Sequence, residues 1–349
     1  MTYNNINNNF KKAQLKKAQL KKAFSLIELS VVVLIIGILI AGITAGSRLV
    51  RNSKLASAAQ FTKSSDVNSI PDLVLWLEPT IENSFATTSS NTDTLTYANV
   101  AGLQDSAYVK DTLRPDNREY VARWNDITPR AVAGNKKSVY QETGSRRPMY
   151  IANAINGLPA LQFDGSSQYL YSLNNNTTPS APPLVAGDDS YTMIAVFSAQ
   201  PYTTGSPTIF SQAPNNLSAS TTASLSIRNA SPVLSFDSFA TATDSDISIK
   251  TSTHYIAIMK LEDSAITSSN NLSFYVNNSS SNKTFSTSTY NIGSDAFFMS
   301  VFGNVNGNSY YDYFKGYIGE VLVFDRALKN EELDTIMKYL SKKWGIALK

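Results

Sequence analysis

The chain has 349 residues, 42% hydrophobic and only 16% charged, with no cysteine and one histidine, His254. Such a length allows about two domains and a sizeable core. Lack of cysteine excludes disulfide frameworks and thiolate sites, and a single histidine argues against a multi-histidine metal centre or a conventional hydrolytic triad. The net charge of +3 is unevenly spread: six lysines precede residue 24, and the rest carries 24 basic against 27 acidic groups. The basic charge belongs to a short arm, so no nucleic-acid partner is expected.

Residues 1–23 are Asn-rich and then repetitive, KKAQL-KKAQL-KKAFSL, and read as a leader peptide. From Phe24 to Gly46 follows FSLIELSVVVLIIGILIAGITAG. Its 23 residues make a helix of about 34 Å, enough to cross a hydrocarbon core of about 30 Å. Six lysines before it, against Arg48, Arg51 and Lys54 after it, predict a single-pass topology with a cytoplasmic N-terminus. Glu28 does not suit a plain anchor, because a carboxylate in a spanning helix costs about 2.5–3.5 kcal/mol and calls for a partner. Cleavage between Ala23 and Phe24 would supply one, the freed α-amino group four residues away. Gly37, Ala41 and Ala45 recur every four positions, with Gly42 and Gly46 beside them, a ridge that lets helices approach closely. No proline follows until Pro71, so the helix is expected to run on to about Lys63.

The segment KKAFSLIELSVVVLIIGILIAGI resembles the N-terminus of the type IV pilin and pseudopilin family. The resemblance implies that prepilin peptidase cuts Ala23–Phe24, that Phe24 is the N-methylated first residue, and that Glu28 is the charge partner in assembly. Ala23 departs from the glycine usual there, and the leader is longer than most. Implied partners are prepilin peptidase, other pilin subunits through the N-terminal helix, and the bacterial inner membrane. The head would be periplasmic, then on a pilus or the cell surface after assembly.

The expected organisation is a leader (1–23), a transmembrane and extended helix (24–65) and a head (66–349). From Ile70 the texture becomes short β-rich segments between Asn, Ser, Thr, Gly and Pro. Candidate strands are 73–77, 160–163, 191–198, 224–227, 233–236, 255–260, 272–276, 297–302 and 317–324, a pattern that predicts an antiparallel sandwich. Leu333, Ile336, Met337, Leu340 and Trp344 then form the apolar stripe of a C-terminal helix over 330–344, with Asn330 as its cap. Trp76, Trp124 and Trp344 are expected in the core. The fold class is mainly β: a long N-terminal transmembrane helix, an antiparallel β-sandwich and a C-terminal helix.

The segments PDLVLWLEP, VARWND, INGLPALQFDGSSQYL, YTMIAVF and GYIGEVLVFDRALKNEELDTIMKYLSKKWGI resemble bacterial laminin-G/concanavalin-A-like jelly-roll domains. Such folds can host glycosidases, which need two carboxylates about 5–9 Å apart. No Glu-x-Asp-x-Glu-like run is present, so no enzyme and no catalytic residue is expected. Tyr311, Asp312 and Tyr313, and separately Asp188 and Asp189, offer the aromatic and oxygen groups of a glycan or surface-ligand loop. No cofactor is required; calcium, a cation held by hard oxygen ligands, is the ion these loops could take. The reading is a minor pilin of a type IV pilus-type filament, displaying a lectin-like binding or adhesion domain. The alternatives are a pseudopilin of a type II secretion system and a membrane-anchored carbohydrate-binding protein.

Overall fold

A computed structural model describes residues 25–81, 84–85, 118, 120–129, 137–173, 185, 187, 189–202, 205–214, 221–228, 231–238, 242–262, 269–286, 292, 296–304 and 309–348. By its packing the chain divides into Met1–Ser53 and Lys54–Lys349. One helix, α1 (Leu26–Lys63), runs through the boundary. In the first unit it carries the apolar stretch Leu26–Ile43, long enough to cross a membrane and with none of its residues buried.

The second unit is built from strands. They begin with β1 (Leu73–Leu77), β2 (Arg123–Trp124), β3 (Val139–Tyr140), β4 (Met149–Ile155), β5 (Leu158–Asp164) and β6 (Leu170–Leu173). Next come β7 (Tyr191–Ala199), β8 (Thr208–Ala213), β9 (Ala223–Ile227), β10 (Val233–Asp237), β11 (Ala242–Ser248) and β12 (Tyr255–Glu262). The last are β13 (Ser269–Val276), β14 (Ser279–Ser286), β15 (Ala296–Met299), β16 (Phe302–Asn304), β17 (Ser309–Tyr311) and β18 (Lys315–Phe324), followed by helix α2 (Asn330–Trp344). Sheet one has the order β14-β13-β12-β7-β18-β5-β4 with β1 also paired to β18; sheet two is β11-β10-β9-β8-β15-β6-β3-β2. All ladder pairings between these strands are antiparallel.

Two cores result. Alternate residues of β7 (Tyr191, Met193, Ala195 and Phe197) face the second sheet, where they meet a core that includes Phe210, Leu225 and Phe236. The intervening Ile194 and Val196 face the other way, into a second core with Ile256, Ile258, Leu322 and the apolar stripe of α2. Sheet one is therefore buried on both faces, which is why β7 reads as a continuous apolar run. The last turns of α1 share this second core through Ala58, and the short helix after it through Val67. All three tryptophans are buried, as expected.

The nine expected strand segments all lie in strands, with one interruption. Phe297–Phe302 breaks at Ser300, whose φ of 72° bends the chain out of sheet two, so that β16 starts a separate hairpin with β17. Two strands without a sequence signal, β11 (ATDSDIS) and β14 (SSSNKTFS), are polar edges, whereas β8 (TIFSQA), also missed, is buried in the middle of sheet two. Asn330 is the first residue of α2 and not its cap; Lys329 holds that place, its N–H donating to Glu332 Oε2 at 2.8 Å. Gly345, at φ 61°, ends the helix in the left-handed region that glycine adopts without steric cost.

Between α1, sheet one and α2 lies a buried charge cluster. Lys343 is wholly buried and donates to Glu78 Oε1 at 2.7 Å and Glu320 Oε2 at 2.8 Å, both carboxylates also wholly buried. It also donates to Thr62 Oγ1 in the last turns of α1 at 2.8 Å. Glu320 accepts from Trp76 Nε1, Trp344 Nε1 and the Tyr339 hydroxyl at 2.7–2.8 Å. Glu78 accepts from both the N–H and the hydroxyl of Thr80 and from the Ile81 N–H. Burial alone would raise Glu78, but the Lys343 charge and these hydrogen bonds outweigh it and hold the carboxyl below its ordinary 4.5. Gly319 stands opposite: a Cβ there would come within 2.6 Å of the Trp344 ring, so the close packing of β18 on α2 needs glycine.

Two outcomes are expected. Lys343→Met strands two buried carboxylates and should destabilise the head by about 3–5 kcal/mol in urea unfolding; loss under 1 kcal/mol would show the cluster to be incidental. Acid should act in the same direction. Glu332, hydrogen-bonded by Arg326, and Asp164, whose backbone N–H donors outweigh burial, are both held at about 2, below their ordinary 4.5 and 3.8. Depressed carboxylates contribute stability that is complete above about 4.5 and lost as pH falls through their folded values. Asp325, raised by burial and by Asp189 and Asp72, works in the opposite sense. Asp246, lowered by hydrogen bonds from Lys283 and Ser281, joins Glu78, Asp164 and Glu332, and these outnumber Asp325, so melting temperature should fall from pH 5 to pH 2; a flat profile would contradict this.

Candidate functional sites

The first site is the N-terminal part of α1. Ala23 and Phe24 lie outside the described residues. Ser25 is the first residue described, and its N–H donates to Glu28 Oε2 at 3.0 Å. The carboxylate thus caps its own helix, where the positive end of the helix dipole favours it. The bond is exposed, and no basic side chain joins it among the described residues. A side chain added at Gly37, Gly42 or Gly46 would meet nothing within 4 Å, so nothing within the chain requires glycine there. Ala41 is likewise exposed.

The head residues singled out from sequence do not converge on one point. Asp188 lies outside the described residues, and Asp189, exposed, acts on Asp325 at the end of β18. Tyr311, Asp312 and Tyr313 precede the start of β18, a strand of 10 residues and so about 33 Å long. Asp312 Oδ1 accepts the Ser206 N–H at 3.0 Å and its carbonyl accepts from Thr208, which ties the β16–β17 hairpin to β8. Tyr311 is exposed and packs on Phe302 at 6.3 Å.

Alternation along β17 sends Tyr310 to the opposite side, into a tyrosine cluster on the outer face of sheet two. There it stacks on Tyr169 at 4.6 Å, and Tyr313 joins at 6.4 Å. Tyr171 and Tyr140 extend the cluster, and Arg146 lies beside Tyr169. Burial and neighbouring charge push the Tyr140 hydroxyl up to about 12 and raise those of Tyr171, Tyr310 and Tyr313, so all four are neutral phenols at physiological pH. Sequence reasoning missed Tyr140, Tyr169, Tyr171 and Arg146. They come from three separate segments, joined by the pairing of β3 with β6 and by the Tyr169 N–H, which donates to the Arg146 carbonyl at 3.0 Å.

A cleft of about 580 Å³ lies between α2 and the β12–β14 side of sheet one, floored by Tyr275 and rimmed by Asn277, Asn278, Asp334 and Lys338. Among the described residues no group of three His, Cys, Asp or Glu side chains could hold a metal ion. Asp126 and Asp164, two oxygen-rich positions, are occupied internally. Asp126 accepts from the N–H groups of Trp76, Thr128 and Lys137, and Asp164 from those of Ser166, Ser167 and Gln168.

Residues 19–44 match the prokaryotic N-terminal methylation motif. No curated protein sequence matches the chain. Among solved structures it is similar to a Trypanosoma rangeli sialidase, at 15% identity and TM-score 0.40, covering 63% of this chain and 31% of that one. It is also similar to a GH54 α-l-arabinofuranosidase, at 12% identity and TM-score 0.46, covering 64% of this chain and 51% of that one. The chain thus spans about a third and about half of the lengths of these two enzymes. With the matched motif and the observed strands together, the chain carries a prepilin-type N-terminus joined to an antiparallel β-sandwich.

Proposed function

We propose that the chain is a minor pilin, a structural subunit of a type IV pilus-type filament. Prepilin peptidase would cut Ala23–Phe24, Phe24 would be N-methylated, and the helix would enter the filament while the head is displayed as a binding domain. The observation that carries this reading is Glu28, a carboxylate inside an apolar stretch of membrane-spanning length and within the matched motif. Its bond is to the N–H of Ser25, at the N-terminal end of the helix and next to the residue whose amine cleavage would free. An ammonium arriving there, from the same chain or a staggered neighbour, neutralises a charge that lipid or a helical bundle would otherwise reject.

Gly37, Ala41, Gly42 and Gly46 then serve as close-approach points between subunit helices, which accounts for glycines with open space around them. In this reading the lysine leader stays in the cytoplasm, the helix spans the inner membrane, and the head is periplasmic until assembly. We read the head as a binding module and not an enzyme. Glu78 and Glu320, a close pair of acids, are sealed from solvent and held by Lys343, where neither could reach a substrate.

Intact mass of the membrane-extracted protein should lack residues 1–23 and carry one added methyl group; retention of the leader would overturn the proposal. Glu28→Leu should leave membrane insertion intact and abolish incorporation into filaments, and filaments that contain the variant at wild-type levels would count against the charge-pairing account.

A further inference from the structure

The proposed filament role leaves the tyrosine cluster on sheet two unused. Tyr140, Tyr171, Tyr169 and Tyr310 form a row with successive ring centroids 4.6, 6.0 and 4.6 Å apart. Tyr140 and Tyr169 are buried, while Tyr171, Tyr310 and Tyr313 are partly exposed, so the row has a closed underside and an open upper surface. Arg146 stands over its middle, Cζ 5.9 Å from the Tyr169 centroid, with Nη1 donating to the Tyr169 hydroxyl at 3.1 Å. Tyr169, Tyr310 and Tyr313 act on its charge, and among the described residues no carboxylate pairs with it. Glu142 lies near Tyr140 and Tyr171 at one end. Asp164 lies near Tyr313 at the other, its oxygens already taken by three backbone N–H groups and two serine hydroxyls.

Each feature selects a chemistry. Part-open phenol rings offer flat apolar surface at low entropic cost, suited to the C–H face of a sugar ring. An unpaired guanidinium offers a fork of donors that matches a carboxylate. A nearby free-standing carboxylate accepts from hydroxyls. We propose that this face binds a carboxylated pyranose of the uronic-acid type: ring over Tyr171 and Tyr310, carboxylate at Arg146, a hydroxyl toward Glu142. A neutral sugar would leave the guanidinium unused. The inference rests on reading the head as a binding module and is independent of N-terminal processing.

The test is calorimetric titration of the detergent-solubilised full-length protein with oligogalacturonate and, in a second arm, a neutral galactose oligomer of equal length. The acidic oligomer should bind and the neutral one should bind at least about tenfold more weakly, the order a charge-assisted hydrogen bond supplies. Arg146→Gln should remove that preference. Tyr171→Ala should weaken binding with unchanged melting temperature, Tyr171→Phe should retain it, and Tyr311→Ala, on the far side of the hairpin, should leave it unchanged. No binding of the acidic oligomer, equal binding of both oligomers, or wild-type affinity in Arg146→Gln would overturn the assignment. Should Tyr171→Ala unfold the head, Arg146→Gln alone decides. A protein that keeps its leader yet binds galacturonate refutes the filament reading and not this one.

Discussion

The packing of α2 on sheet one depends on one buried ammonium group, that of Lys343. Lys343 comes from the last turn of the C-terminal helix, Glu78 from the residue after the first strand, Glu320 from the longest strand and Thr62 from the end of the N-terminal helix. Four elements distant in sequence thus meet at one ammonium group. An apolar contact would tolerate a sliding helix, whereas two sealed carboxylates permit one placement only. The hydrogen bonds from Trp76, Trp344 and Tyr339 fix Glu320 in turn. Such a cluster adds less net stability than its short distances suggest, because desolvation offsets most of the attraction. Its contribution is to set register: α2 cannot rotate or shift by a turn without exposing an unpaired charge to the core.

The double burial of sheet one follows from the same arrangement and explains what the sequence discloses. A strand buried on both faces is apolar on both, so the runs Met193–Phe197 of β7 and Val321–Phe324 of β18 stand out from composition alone. The stripe Leu333, Ile336, Met337, Leu340 and Trp344 likewise needs only the helical repeat to be seen. Lys343 does not follow that logic. Beside Lys342 it reads as one of several cations suited to a helix C-terminus, and only the tertiary placement of Glu78 and Glu320 separates the two. Lys342 meets the Phe61 ring at 4.8 Å, while its neighbour is wholly buried. Long-range pairs of this kind leave no local trace, because their spacing in sequence, 265 and 23 residues, carries no periodicity.

The tyrosine face shows the same limit in another form. Composition marks Tyr310, Tyr311 and Tyr313 as a cluster but not which of them share a surface. That is decided by the pleat of β17, a strand of three residues, and by the bend at Asp312, whose φ is 54°. Pleat and bend put Tyr310 and Tyr313 together and turn Tyr311 away. Their partners Tyr169 and Tyr171 are supplied by β6 and the residue before it, far away in sequence but brought alongside by β15. A loop that looks like a binding motif is thus half platform and half outward-facing residue.

Glu28 poses the problem that Lys343 solves, and the contrast separates the two units of the chain. Among the described residues of the head, every carboxylate taken fully out of water has its counter-charge or donors: Lys343 for both glutamates, backbone N–H groups for Asp126. Glu28 has one backbone N–H and open surroundings. In water that is sufficient, because solvent supplies the rest. In the environment that an exposed run of Leu, Ile and Val requires, it is not, since the same run that excludes water removes the solvation of the carboxylate. The acid there calls for a cation from outside the described segment. A cation makes the residue indispensable and specifies where the second charge must be: level with the first turn of the helix, where a chain shortened to Phe24 would present its amine.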